Sequence, residues 1–100
     1  MIKYDGSHYK ELKFASIRAD ADLRDGQWID VYFDFVASVP QDLPVELRQP
    51  SGWLICSSEG EVVQFVVLDE GCDSEYLFTE DEKNQVLEYI RQNHVLKSFI

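Results

Sequence analysis

Two stretches of the chain alternate apolar and polar residues with the period of two that a half-buried strand requires. In the first, Ala15, Ile17, Ala19, Ala21 and Leu23 alternate with Ser16, Arg18, Asp20 and Asp22. In the second, Ile29, Val31, Phe33, Phe35, Ala37 and Val39 alternate with Trp28, Asp30, Tyr32, Asp34, Val36 and Ser38. The alanines of the first stretch would also suit a helix. Its period, repeated in the second stretch, predicts a strand. Arg24-Asp25-Gly26 between them reads as a hairpin loop.

The faces constrain the register. A two-residue Asp25-Gly26 loop would set Ala21 against Asp30 and Ala19 against Tyr32, mixing apolar and acidic residues on one side. A three-residue Arg24-Asp25-Gly26 loop, with Gly26 left-handed, sets Ala21 against Ile29, Ala19 against Val31 and Ile17 against Phe33. That arrangement sorts the faces and is the one expected. The outer face then carries Asp20 opposite Asp30, Asp22 opposite Trp28, Arg18 opposite Tyr32 and Ser16 opposite Asp34.

Pro40, Pro44 and Pro50 predict a crossing loop over residues 40–52, because proline disfavours both helix interiors and central strands. A second hairpin is expected from Trp53–Ser58 and Glu61–Leu68 around Glu59-Gly60. Its strands are apolar on both faces, which favours central positions. Asp69–Glu75 reads as an acidic loop. Thr79-Glu80-Asp81-Glu82 then has the spacing of a capping box, and its acids suit the positive end of a helix. Val86, Leu87 and Ile90 form the buried stripe of that helix, with Tyr89 at its edge and the end near Asn93. Met1–Glu11 is mixed, with Asp5-Gly6 as a turn signal. Val95, Leu96, Phe99 and Ile100 make an apolar tail. The expected fold is α+β: a four-stranded, mainly antiparallel sheet built from two β-hairpins, with a C-terminal helix packed on one face. Residues 1–100 are expected to make one small acidic domain.

Charge adds a second layer. The net charge is −10, and it is unevenly placed. Residues 19–82 hold sixteen acids against Arg24 and Arg48, whereas each end of the chain is slightly basic. A field of this sign repels nucleic acid and anionic lipid and attracts basic partners. No apolar run is long enough to span a bilayer, and no basic-then-apolar leader opens the chain. Two cysteines, Cys56 and Cys72, do not make a disulfide framework. A reduced, cytoplasmic setting is therefore expected.

Four groups of residues are candidates for chemistry. The first is the carboxylate face Asp20, Asp22, Asp30 and Asp34. Like charges set opposite each other cost stability, which a cation or a basic partner would relieve. Hard cations do take oxygen ligands, but this spacing matches no calcium-loop pattern. The second is the run from Asp69 through Glu70, Asp73 and Glu75 into the helix start, a docking surface for lysines or arginines. The third is Cys56 and Cys72 with His8 and His94. Cys56 sits in a strand pattern, Cys72 sits among acids that disfavour a thiolate, and nothing pairs either with a histidine by spacing. The fourth is Trp28 and Tyr32, with Trp53 beside them, as aromatic anchors among the acids. Phosphate-cradling glycine loops and the G-x-S-x-G and HExxH motifs are absent.

The leading expectation is a non-catalytic protein that binds a basic protein surface through its acidic face and loop, with no cofactor and no direct contact to nucleic acid or membrane. Its sharper form is an inhibitor whose spaced carboxylates mimic phosphates. In that form, neutralising Asp20, Asp30 and Asp34 weakens binding. A small enzyme or enzyme subunit, using Asp20, Asp22, Asp30 and Asp34 with a divalent ion, is the alternative. The third reading is a homo-oligomer joined through the apolar tail or an uncovered sheet face.

Overall fold

The alternation becomes strands, and the capping box becomes a helix start. The computed structural model describes residues 1–99. In chain order its elements are β1 (Ile2–Lys3), β2 (Phe14–Arg24), β3 (Trp28–Ala37), a 3-10 turn (Pro40–Asp42), β4 (Pro50–Ser57), β5 (Val62–Asp69), β6 (Cys72–Asp73), β7 (Tyr76–Leu77) and α1 (Glu80–Gln92). Strands β2 to β6 form one antiparallel sheet in sequential order. β1 and β7 pair separately, also antiparallel.

The fold class is the expected α+β, but the sheet has five strands rather than four. The additional strand comes from the acidic loop. Glu70 and Gly71 both adopt left-handed backbone, with φ of 54° and 83°, and Asp69 pairs with Cys72 across them. A two-residue turn of that hand matches the twist of the flanking strands and closes a tight hairpin. The crossing loop is also shorter than expected. Pro50 opens β4, where a proline's missing donor is tolerated, and Pro40 stands at the first position of the 3-10 turn.

The first hairpin has a three-residue loop, as expected, but displaced by one position to Asp25-Gly26-Gln27. Asp25 and Gly26 are both left-handed, with φ of 45° and 80°, and the Gln27 N–H donates to the Arg24 carbonyl at 3.3 Å. Arg24 therefore pairs with Trp28, Ala21 with Val31, Ala19 with Phe33 and Ile17 with Phe35. The register differs from the expected one by two residues. An even shift keeps every side chain on its face, so the sorting survives while the partners change.

The inner face holds the core. Ile29, Val31 and Phe33 of β3, Leu54 and Cys56 of β4 and Val67 of β5 are buried together with Met1, Leu12, Tyr76, Phe78, Val86 and Ile90. The last two come from α1, so the helix covers this face. Leu87 and Tyr89 are half-buried beside them. The helix ends at Asn93 with a Schellman arrangement: His94 N–H donates to the Arg91 carbonyl at 3.3 Å and Val95 N–H to the Ile90 carbonyl at 3.1 Å. His94 takes the left-handed position, with φ of 53°, that glycine usually fills. Val95, Leu96 and Phe99 of the apolar tail then turn back against the core. Ile100, the last residue of that tail, lies outside the described residues.

Glu82 does more than cap. Its Oε1 accepts from the Thr79 N–H at 2.9 Å while Thr79 Oγ1 accepts from the Glu82 N–H at 3.2 Å, which completes the expected capping box. Its Oε2 accepts from the Leu12 N–H at 2.8 Å and from the Met1 ammonium. The ion pair is fully buried on both sides. The Met1 ammonium also donates to the Lys10 carbonyl at 2.5 Å. One carboxylate thus ties the helix start to two points of the N-terminal segment.

Candidate functional site

The sheet face away from the helix carries the acidic and aromatic residues of the first hairpin. Arg24 is opposite Trp28, Asp22 opposite Asp30, Asp20 opposite Tyr32 and Arg18 opposite Asp34. These pairings replace the expected ones, because the register is set two residues further along. On the other side of β3, Tyr32 is opposite Trp53 and Asp30 opposite Ile55.

Asp20, Asp22 and Asp34 are exposed, whereas Asp30 is only 8% exposed. Its Oδ1 accepts from the Trp53 indole N–H at 3.1 Å and lies 3.3 Å from the Arg24 guanidinium. Burial of a carboxylate is tolerable when it is paired and hydrogen-bonded. Arg24 also lies over the Trp53 ring, 5.9 Å from its centroid. Tyr32 stacks on Trp53 at 5.8 Å with a 9° interplanar angle. Arg24, Asp30, Tyr32 and Trp53 therefore form one ordered cluster. Asp30 holds the platform, while Asp20, Asp22 and Asp34 stand beside it in solvent. Trp28 is half-buried at the loop end of β3. The acidic pair Asp22–Asp30 is relieved by Arg24 from within the chain, so no outside cation is required to balance it.

The four aspartates are not gathered about a single point. Asp34 faces Arg18 and Asp20 faces Tyr32. Among the described residues, no three of His, Cys, Asp or Glu stand close enough to hold a metal ion.

The second acidic group lies on the opposite edge of the same sheet. Asp73 pairs with Leu68, and Glu70 and Glu75 are exposed. β4 and β5 separate this edge from β3, a span of about 14 Å at ordinary strand spacing. Asp69 has an internal role: its Oδ1 accepts from the Arg48 and Gln49 N–H groups at 2.9 and 2.7 Å, fastening the proline loop to the sheet. Glu75 lies 3.8 Å from Lys3.

Of the thiols and imidazoles, Cys56 and His94 line a common groove between the β4–β5 hairpin and the end of α1, and Cys72 and His8 lie outside it. Cys56 is buried, and burial pushes its thiol up. Cys72 is exposed on β6. His8 packs edge-on against Tyr76 at 5.8 Å, with its Nε2 buried and unpartnered among the described residues.

That histidine borders a cluster which the sequence did not announce. The Tyr76 hydroxyl donates to Glu46, whose other oxygen accepts from Lys3 at 3.4 Å. Burial, and then the Glu46 hydrogen bond, push the Tyr76 phenol up to about 12. The same bond, above all, lowers Glu46. A phenol whose proton is held more tightly in the folded state contributes fully below its ordinary value of 10. That contribution is lost as pH rises toward about 12. In a near-ultraviolet titration Tyr76→Phe should therefore remove the most alkaline step of tyrosine ionisation. If Tyr76→Phe removes an earlier step instead, the burial of the phenol and its hydrogen bond to Glu46 are absent in solution.

No family model, curated protein or solved structure matches the chain.

Proposed function

We propose that the chain is a non-catalytic interaction protein that receives a basic protein surface on its uncovered sheet face. The observation that carries this reading is the Tyr32–Trp53 stack, held by Asp30 and flanked on its β2–β3 side by exposed Asp20, Asp22 and Asp34. A rigid aromatic pair bordered by charge is the composition of an interface anchor with a steering rim. Arg24 offers an internal example, with its guanidinium placed over Trp53 and against Asp30. A partner arginine laid along Tyr32 would find the same two attractions, ring face and carboxylate. Asp73 and Glu70 at the far edge extend the acidic rim for a partner wide enough to cross the sheet. The inhibitor form of this reading, in which the carboxylates stand where phosphates would lie on a nucleic-acid-binding protein, rests on the same face. A cytoplasmic location accords with the two free cysteines.

The test uses a defined probe, an arginine-rich peptide titrated against the protein at several salt concentrations. The triple variant D20N/D22N/D34N should bind roughly tenfold more weakly, since exposed ion pairs each contribute up to about fivefold. The dependence on salt should flatten with it. Asp30 is left intact because it serves the platform. Neutralising Glu59 and Glu61, exposed at the β4–β5 turn, should change little. Equal losses per charge removed from the two sets would reduce the effect to net charge and defeat the assignment of the face.

A further inference from the structure

The opposite side of the molecule carries a groove of different character. It has a volume of about 420 Å³ and lies between the turn end of the β4–β5 hairpin and the C-terminal end of α1. Its floor is apolar, from Leu54, Cys56 and Val62 of the hairpin and Leu87 and Ile90 of the helix. Its lining also includes Arg91, His94 and Lys97. An apolar cleft of this volume with a few polar groups is the usual form of a small-molecule site.

The charge at this groove runs against the rest of the chain. The net charge is −10, yet apart from the buried Cys56 thiol the ionisable side chains that line the groove, Arg91, His94 and Lys97, are all basic types. Arg91 is exposed and pairs with Glu88 three residues back, a surface contact that is readily exchanged. Lys97 meets no carboxylate among the described residues. His94, at the left-handed position of the helix C-cap, is exposed beside the groove. An imidazole there supplies a ring N–H that a glycine could not.

We propose that this groove binds a small amphiphilic anion. The apolar chain of the ligand lies along Val62, Leu87 and Leu96, and its carboxylate or equivalent head meets Lys97 and Arg91. The site is independent of the acidic face, so each can fail without the other.

Octanoate, octan-1-ol and butyrate are the probes, followed by calorimetry and by amide chemical shifts of the intact protein. Octanoate should bind saturably and shift residues of the β4–β5 turn and the end of α1. Each methylene removed should weaken binding about three- to fourfold. Octan-1-ol should bind at least tenfold more weakly than octanoate, and R91Q/K97Q should bring octanoate down to the level of the alcohol. Val62→Trp fills the groove from a residue that is already 45% exposed, so the fold should tolerate it and binding should vanish. His94→Gly should raise thermal stability while weakening octanoate. In a Cys72→Ser background, octanoate should slow modification of Cys56 by methyl methanethiolsulfonate.

Absence of saturable octanoate binding would overturn the proposal. So would binding that survives Val62→Trp, or that is indifferent to R91Q/K97Q. A concentration-dependent dimer abolished by Val62→Trp would assign the groove to a second copy instead.

Discussion

Glu82→Ala is expected to lower folding stability by about 3–5 kcal/mol, the usual cost of stripping the partner from a buried charge. The carboxylate is fully buried, and it serves the Met1 ammonium, the Leu12 N–H and the Thr79 N–H together. Its removal leaves the Leu12 and Thr79 N–H groups without this acceptor, and the buried Met1 ammonium without its counter-charge and with only the Lys10 carbonyl. A domain of this size has only about 5–15 kcal/mol in total, so the variant should unfold at a small fraction of the wild-type urea concentration. Thr79→Ala separates the roles. It removes only the helix cap, and about 1 kcal/mol is expected. Glu82→Gln keeps the volume and one acceptor while losing the charge, and should fall between them. Equal effects from Thr79→Ala and Glu82→Ala would mean that the capping box is all that Glu82 provides.

The contrast between those two roles also shows what a sequence can carry. The capping box is legible because its partners are three residues apart. The link from Glu82 to Met1 and Leu12 spans 81 and 70 residues, and no local pattern encodes it. The first hairpin gives a similar lesson. Ile17, Ala19, Ala21 and Leu23 form an unbroken apolar row, so alternation fixes which side faces the core but does not count along the row. The loop decides the register, through Asp25 taking a left-handed conformation ahead of Gly26. The short strand β6 was hidden by composition. Acids around Glu70-Gly71 read as solvated loop, although the same dipeptide makes a tight turn between paired strands.

The candidate site was legible as a face and not as a cluster. Asp20, Asp22 and Asp34 are exposed where the alternation predicts. Asp30 belongs to the same row, yet Trp53 from a neighbouring strand draws it into the structure. That contact requires knowing that β3 pairs with β4 and that Tyr32 meets Trp53. The separation of the two acidic groups to opposite edges likewise depends on strand order. The basic groove was farthest from reach, since its lining joins a hairpin to a helix end some 30 residues later.

Gly52→Ala is the second large effect, and it bears on both faces of the sheet. Gly52 pairs with Phe33 across β3 and β4, and a Cβ built there would collide with the Phe33 ring itself. The ring has little room to yield. Phe33 is 2% exposed and packs against Phe78 at 5.5 Å and Phe65 at 6.4 Å. Interiors at crystal-like density transmit such a clash rather than absorb it. A loss of about 3 kcal/mol is expected, at the upper end for overpacking. Phe33→Leu in the same chain should restore part of it, so that the double variant is more stable than Gly52→Ala alone. A coupling of more than about 1 kcal/mol in that cycle would mark direct contact. Additive losses would show that Gly52 is required for its backbone and not for the space it leaves. Because Trp53 follows Gly52 directly, strain relieved by moving the strand should also disturb its stack with Tyr32. Near-ultraviolet circular dichroism should register that disturbance in Gly52→Ala and its recovery in the double variant, linking the packing of the inner face to the order of the outer one.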